Sequence, residues 1–247
     1  MQTKKIIPRS IPTILRRMAE LFGDYPQTEL NYKTPFQLLV AVVLSAQTTD
    51  VQVNKVTQSL FKVVHTPRDV VALGESNLKQ YIKTVWLHVS KTKHIYRMAI
   101  LLNEHPALPG SPKLQADIKR EKITYKNTKE IQHIRGYRLP DTIEEMTKLP
   151  GVGIKTAKVV LSVLYGQRWI AVDTHVHRVM HRLGIVKWKT PEATSKELET
   201  TIPDHYKQQA HRLIIYFGRY LCKAQRPECD RCPLMKRCVW NQEHIKK

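Results

Sequence analysis

The four cysteines of the chain lie close together near its C-terminal end. Six, two and five residues separate Cys222, Cys229, Cys232 and Cys238. Four thiolates at such short spacings can bind one metal centre, either a structural zinc ion or a 4Fe-4S cluster, and the spacing by itself does not decide between them. No cysteine lies elsewhere in the sequence, which excludes a disulfide framework spread through the fold. We therefore expect a reducing compartment.

A lysine follows a glycine-rich turn in Leu149-Pro-Gly-Val-Gly-Ile-Lys-Thr-Ala157. Gly151 and Gly153 allow a sharp turn that exposes backbone N–H groups at the start of a helix, and such amides bind phosphate without reading base sequence. An ordinary corner between two helices would show the same pattern. Lys155 falls in the first helical turn, where a cation is unfavourable for the helix dipole. This mismatch points to a function, and an amine nucleophile is the chemistry that a lysine offers. Lysines are common in this chain, however, so a single lysine is weak evidence for a nucleophile until its neighbours are considered.

Asp173 ends the apolar segment Ile170-Ala-Val and immediately precedes another predicted helix. We expect Thr174 to be the N-cap of that helix. Taken alone, Asp173 would be interpreted as a further capping residue. Its interest comes from its combination with Lys155.

The charge balance favours a polyanionic partner. Lysine and arginine number 41 against 21 aspartate and glutamate, and the formal net charge is +20. Nucleic acid is the leading candidate, although ribosomal, membrane-surface and heparin-binding proteins share such a composition. The longest apolar run, residues 38–44, is far shorter than the roughly 20 residues that span a bilayer, so it predicts a buried helix. The N-terminal segment has no signal-peptide core, and we expect a cytoplasmic protein, associated with the nucleoid in a prokaryote.

Helical periodicity runs through almost the whole chain. A capping pattern at Asp141-x-x-Glu144 predicts a helix start near residue 142. Residues 106–138 lack an apolar stripe and are rich in lysine and arginine, so we interpret them as a basic insertion. Further starts are predicted at Ser10, Thr34, Thr66 and Thr190, and apolar stripes at Ile11–Phe22, Ala157–Leu164 and Val176–Leu183, with a last long helix at about 204–220.

Together these segments resemble the endonuclease III family of the helix-hairpin-helix DNA glycosylase superfamily. The resemblance runs from about Pro35 to Cys238 through LLVAVVLSAQTTDVQVNKV, LPGVGIKTAKVV, AVDTHVHRV and the cysteine loop after GRYLC, and the insertion interrupts it. It implies an all-α fold of two helical lobes flanking a DNA-binding cleft. Residues 26–166 would form a helical barrel lobe with the helix-hairpin-helix, and residues 1–25 and 167–247 an iron–sulfur cluster lobe. Lys155 would lie at the cleft mouth with Asp173 facing it.

The resemblance also implies a function, that of a bifunctional base-excision repair glycosylase and abasic-site lyase acting on duplex DNA. Neutral Lys155 would attack C1′ of a flipped nucleotide while Asp173 stabilises positive charge on the sugar. The base would leave, and a Schiff base would then permit β-elimination. Gln47 matches the family's space-filling wedge. Leu149, Gly151, Val152, Gly153, Lys223 and Arg226 are predicted to contact DNA, and the family favours the 4Fe-4S cluster over zinc.

One loop departs from the family pattern. The segment Trp86-Leu87-His88-Val89-Ser90-Lys91-Thr92 stands where relatives show a Gly-Leu-Tyr-Asn-Ser-Lys-Ala-like loop that helps shape the base pocket. Damaged pyrimidines such as thymine glycol are the expected substrates, with an altered range as the consequence of this loop. Two alternatives remain at this stage: a monofunctional mismatch glycosylase, against which Lys155 argues, and a non-catalytic DNA-structure-binding protein. A monomer is expected.

Overall fold

The computed structural model describes residues 11–23, 28–104, 137–187 and 190–244. These residues form helices joined by short turns and contain no strand, which confirms the predicted all-α class. None of the described helices combines the length and the apolar character that a membrane span requires. The α-helices are α1 (Ile11–Phe22), α2 (Pro35–Ser45), α3 (Asp50–Leu60), α4 (Pro67–Leu73), α5 (Glu75–Ile82), α6 (His88–Glu104), α7 (Ile143–Met146), α8 (Ile154–Tyr165), α9 (Thr174–Arg182), α10 (Pro191–Thr201), α11 (Asp204–Tyr216) and α12 (Val239–His244).

The chain divides into two compact units. The middle unit comprises residues 28–165 and contains helices α2 to α8. The terminal unit comprises the residues before 28 and after 165, and contains α1 and α9 to α12. The predicted basic insertion at 106–138 lies outside the described residues except for its last two positions.

Helix α2 lies in the core of the middle unit. Every residue from Phe36 to Leu44 is buried, as the apolar run predicts. The one polar member, Gln37, is fully buried and satisfies its amide: Nε2 donates to the carbonyls of Phe61 and Val64, and Oε1 accepts from the amide of Lys33. A helix that is apolar on all sides must be covered on all sides, and α3, α6 and α8 pack against it.

Helix starts follow the predicted capping chemistry at most positions. Thr34, Thr66 and Thr190 are N-caps, each followed by proline, and each accepts a backbone N–H of the first turn. The predicted cap at Asp141 is wrong by one residue. Thr142 is the N-cap of α7 and accepts from the amide of Glu145 at 3.2 Å, because its hydroxyl stands in register with the third helical residue. The position at Ser10 lies outside the described residues.

The terminal unit has its own core. The apolar stripe of α1 packs on α11, and the stripe of α9 packs between α11 and the residues that follow it. The predicted long helix at 204–220 is α11 followed by a π-helical segment, Phe217–Leu221, which leads directly into Cys222. The buried residues that these segments contribute to the core include Ile14, Leu15, Met18, Val176, Val179, Met180, Leu213, Ile214 and Phe217.

Candidate active site and cysteine loop

The glycine-rich turn joins α7 to α8 in the middle unit. The amide of Val152 donates to the carbonyl of Leu149 at 3.1 Å, and both of these side chains are buried. Gly151 has φ +81°, a backbone conformation that favours glycine, and a methyl group there would lie 2.8 Å from Cβ of His94 in α6. Gly153 has open space around it. The turn is therefore anchored by its two apolar residues and by the close approach of Gly151 to α6.

Lys155 is the second residue of α8, as predicted, and its side chain is exposed. The helix behind it is well fixed, because Ala157, Val160, Leu161 and Leu164 are buried. The first-turn amides of α8 follow the turn directly. One short segment of the middle unit therefore carries the predicted nucleophile and four of the predicted DNA contacts: Leu149, Gly151, Val152 and Gly153.

Asp173 is the N-cap of α9 in the terminal unit. Its Oδ1 accepts the amide N–H of His175 at 2.9 Å and that of Val176 at 2.8 Å. The prediction of Thr174 as the cap is wrong, because Thr174 is already the first helical residue. The two amides hold the carboxylate in one orientation at the positive end of the helix, where negative charge is favoured. The residue that was predicted to assist catalysis is therefore also the cap of α9.

Gln47 lies in the turn between α2 and α3, with φ +56° and an exposed side chain. The side chain of Lys91, a residue at the start of α6, extends to the backbone of the Gln47 turn. Its Nζ donates to the carbonyls of Leu44 and Ala46 at 2.7 and 2.6 Å and to the hydroxyl of Thr48 at 3.1 Å. Burial lowers the pKa of Lys91 from its ordinary value. The predicted wedge position is thus held by a buried lysine.

All four cysteines line one cavity of the terminal unit, and none forms a disulfide. Its empty space, part of which opens to solvent, is about 380 Å³. Apolar residues complete the wall, among them Phe217, Leu221 and Met235. Among the described residues, no group of three or more His, Cys, Asp or Glu side chains stands as a site for a single metal ion. A donor set of four thiols fits a multi-iron cluster, in which different thiolates bind different iron atoms.

Two arginines of α9 hold the start of the cysteine loop. Arg178 donates through Nε to the carbonyl of Cys222 at 3.1 Å and through Nη2 to that of Gly218 at 2.8 Å. Arg182 donates to the carbonyls of Lys223 and Ala224 at 2.7 and 3.0 Å, and its guanidinium lies 4.5 Å from the ring centroid of Trp240. The helix that Asp173 caps therefore also supports the loop that carries the cysteines.

The protonation of the thiols bears on metal binding. Burial raises the pKa of Cys232 to about 11 and also raises those of Cys229 and Cys238. The Arg182 guanidinium acts in the opposite direction on Cys229 and Cys238. A thiol must lose its proton to bind iron, so the metal itself has to supply the main stabilisation of the thiolates.

The two predicted DNA contacts of the cysteine loop differ in their surroundings. Lys223 pairs with Glu228 at 2.6 Å, and Arg231 pairs with the same carboxylate at 2.7 Å. The Glu228 carboxylate therefore offsets part of the positive charge that the sequence predicts for this loop. Arg226 is exposed and has φ +50°.

Four supporting residues were not predicted from the sequence: Lys91, His94, Arg178 and Arg182. Lys91, Ile95, Met98 and Leu102 share one face of α6, and a lysine in an apolar stripe was the available signal for a buried amine. Arg178 and Arg182 are spaced by one helical turn, but basic residues are so common in this chain that the spacing carries little information. The contact of His94 with Gly151 depends on packing between separate helices and has no local signal.

Comparison with known proteins identifies the relatives of this chain. Residues 40–204 match the sequence profile of the HhH-GPD superfamily of base excision DNA repair proteins. The endonuclease III of Rickettsia conorii is 40% identical over 229 residues, covering 91% of this chain and 95% of its own. Both the hairpin with Lys155 and the Asp173 segment fall within the matched region.

Two solved structures agree with the fold. A trapped endonuclease III–DNA covalent intermediate, an estranged-adenine complex, matches with a TM-score of 0.79 at 37% identity, covering 97% of this chain and 99% of that one. A non-covalent endonuclease III–DNA complex matches with a TM-score of 0.80 at 37% identity, covering 98% and 100%.

Proposed function

Because this chain belongs to the endonuclease III family of the HhH-GPD base excision DNA repair proteins, we propose that it excises damaged bases from duplex DNA with Lys155 as nucleophile and Asp173 as the assisting carboxylate. The same lysine then cleaves the abasic site. Both activities, those of a DNA glycosylase and of an abasic-site lyase, belong to the family. The observation that carries the proposal is the match to an endonuclease III that was trapped in a covalent intermediate with DNA.

Lys155 is proposed to form the covalent bond. Its neutral amine attacks C1′ of the flipped nucleotide, the C1′–N bond to the base breaks, and the base leaves with a proton. The sugar opens to a Schiff base between C1′ and Nζ. Loss of a proton at C2′ then allows the C3′–O bond to break, and the 3′ phosphate leaves. Lys155 is exposed and directly follows the glycine-rich turn that is predicted to bind phosphate, which supports this role.

Asp173 is proposed to stabilise the positive charge that develops on the sugar as the base leaves. Its Oδ1 is already fixed by two backbone N–H groups, so the carboxylate does not have to reorient during the reaction. Preorganised charge of this kind is a large contribution in many enzymes.

The hairpin, Gln47 and the cysteine loop are proposed to bind the duplex. The amides at the start of α8 would bind backbone phosphate, since Gly151 and Gly153 leave them uncovered. Gln47 would fill the space that the extruded nucleotide leaves. Arg226 and Lys223 would add contacts to the phosphates, although Lys223 is also paired with Glu228.

Cys222, Cys229, Cys232 and Cys238 are proposed to hold a 4Fe-4S cluster. Four thiols around one cavity, with the family's spacing, support this assignment over a structural zinc ion. When bound, the cluster supplies a cross-link that fixes the loop, and base excision itself transfers no electron. The cluster loop begins where Arg178 and Arg182 hold it, so these side chains orient Cys222 for binding.

Oxidised pyrimidines in DNA are the proposed substrates, and the chain is proposed to act as a monomer. The test uses end-labelled duplexes with one thymine glycol, an otherwise identical undamaged duplex, and denaturing gels run with and without hot alkali. We expect cleavage of the damaged duplex without alkali, with a β-elimination end. Cleavage only after alkali would favour a monofunctional glycosylase. A mobility shift without any cleavage would favour a DNA-structure-binding protein.

A further inference from the structure

Among the described residues of the middle unit, two that are not glycine have left-handed backbone conformations: Gln47 with φ +56° and Leu87 with φ +57°. Residues other than glycine rarely adopt this backbone conformation because Cβ crowds the backbone. The strain persists only where the surrounding structure imposes it. Both side chains are exposed, and the neighbouring Trp86 is 66% exposed. Residue 47 lies between α2 and α3, and residue 87 lies between α5 and α6.

Lys91 joins, through its side chain, the start of α6 to the Gln47 turn. Its amide N–H donates to the carbonyl of Leu87 at 3.0 Å. Its ammonium donates to the carbonyls on either side of Ser45 and to the Thr48 hydroxyl, so the three N–H donors of the ammonium are all used around Gln47. The bond to Leu87 is the ordinary first-turn backbone bond of α6, so it is the ammonium that ties the segment directly after Leu87 to the Gln47 turn.

The site of the ammonium explains how it can be buried. The side chain of Lys91 is 5% exposed, and a buried amine is costly unless polar groups receive it. The carbonyls of Leu44 and Ala46 lie at the C-terminal, negative end of α2, where a cation is favoured. Lys91 therefore caps the C-terminal end of α2 with its ammonium.

A second bond joins residues close to these two segments. Nε2 of Gln52 in α3 donates to the hydroxyl of Thr84, just before the 86–90 loop, at 2.8 Å. The helix that follows the Gln47 turn is thus bonded to the residues that precede the Trp86–Leu87 loop. A shift of one would be transmitted to the other.

We propose that Lys91 is a positioning residue that fixes the Gln47 turn and the Trp86–Leu87 loop as one rigid element for opening the duplex. This inference rests on the proposed function, in which Gln47 fills the vacated space and the loop borders the base pocket. Lys91 touches neither DNA nor the reacting atoms. Its effect is confined to the extrusion of the damaged nucleotide, and the bond-forming chemistry at Lys155 does not depend on it.

The test compares Lys91→Met with Lys93→Met in the full-length, cluster-loaded protein. Lys93 is exposed on the same helix, so its substitution removes the same charge without touching either turn. Hydrogen–deuterium exchange should accelerate in peptides covering residues 45–49 and 86–90 of the Lys91 variant only. Unchanged exchange in either segment would overturn the assignment, whether or not the protein is active.

Kinetics separate positioning from a general loss of folding. For Lys91→Met we expect excision from a thymine glycol duplex to fall by about tenfold or more, because small misplacements at a site are expensive. Borohydride trapping on a single-stranded abasic oligonucleotide needs no duplex opening and should stay within about twofold of the wild-type value. Equal losses on both substrates, or no loss on the duplex, would contradict the proposal.

A milder variant covers the case in which Lys91→Met does not fold. Thr48→Val removes one acceptor and keeps the lysine, so it should show the same selective loss on the duplex at smaller amplitude. A uniform effect of Thr48→Val on both substrates would overturn the assignment. A wild-type protein that neither excises nor traps would overturn the proposed function instead, since the exchange experiment still reports on Lys91.

Discussion

Gly151 packs against His94 so closely that a methyl group at position 151 would lie 2.8 Å from Cβ of His94. His94 follows Lys91 by three residues, so adjacent positions on α6 support the hairpin before α8 and the turn after α2. One helix therefore positions two of the elements that are predicted to meet DNA. The two contacts are independent, because they involve different side chains and different turns.

The hairpin offers a matched pair of glycine variants. Gly151→Ala combines a positive φ with a clash, and we expect it to lower the free energy of unfolding by roughly 1–3 kcal/mol and to weaken binding to abasic-site duplex. Gly153→Ala meets no neighbouring atom and has no positive φ, so it should leave stability close to wild type. Chemical denaturation and fluorescence anisotropy measure the two effects. Equal stability of both variants would contradict the anchoring by His94.

Capping and catalysis can be separated at Asp173. Asparagine is also a good N-cap, so Asp173→Asn should keep the stability of α9 while losing the charge that assists base release. Asp173→Ala should lose the charge and also cost about 1 kcal/mol of stability. We expect single-turnover excision to fall by roughly 100-fold or more in both variants. Substantial excision by Asp173→Asn would show that the residue is only a cap.

The support of the cysteine loop by α9 predicts an effect on the proposed cluster. Arg182→Met removes the bonds to the carbonyls of Lys223 and Ala224 and the stacking over Trp240. The cluster should then be lost faster on exposure to air. Its visible absorption and the iron content per chain measure this loss. Arg168→Met, at an exposed position of the same unit, is the control. Identical rates in the two variants would mean that Arg182 does not stabilise the loop.

Local chemistry made much of the fold predictable. Helices that begin at threonine followed by proline were found where expected, because the cap and the fixed φ of proline act within one turn. The buried stripe of α8 and the fully buried α2 followed from hydrophobic spacing alone. The candidate site could be predicted for the same reason, since Lys155 and Asp173 each lie at the start of a helix within a recognisable sequence motif.

What escaped prediction depends on neighbours distant in sequence or on register. The predicted N-caps of α7 and α9 were each one residue away from the true caps, Thr142 and Asp173. Adjacent polar residues compete for the same amides, and only the backbone geometry decides between them. Lys91 meets acceptors more than forty residues away, and Arg182 does the same. Such bonds are made by tertiary packing and leave no short pattern in the sequence.

The central claim is that Lys155 forms a covalent bond with the sugar. The most direct measurement is borohydride trapping on a duplex with one abasic site, followed by peptide mass spectrometry to locate the adduct. Lys148→Ala is the control for Lys155→Ala, because it removes an exposed lysine on the other side of the hairpin. The account predicts a reduced adduct on Lys155 in the wild-type protein and the Lys148 variant, and none in the Lys155 variant. An adduct that persists in Lys155→Ala, or one located on another residue of the wild-type protein, would contradict it.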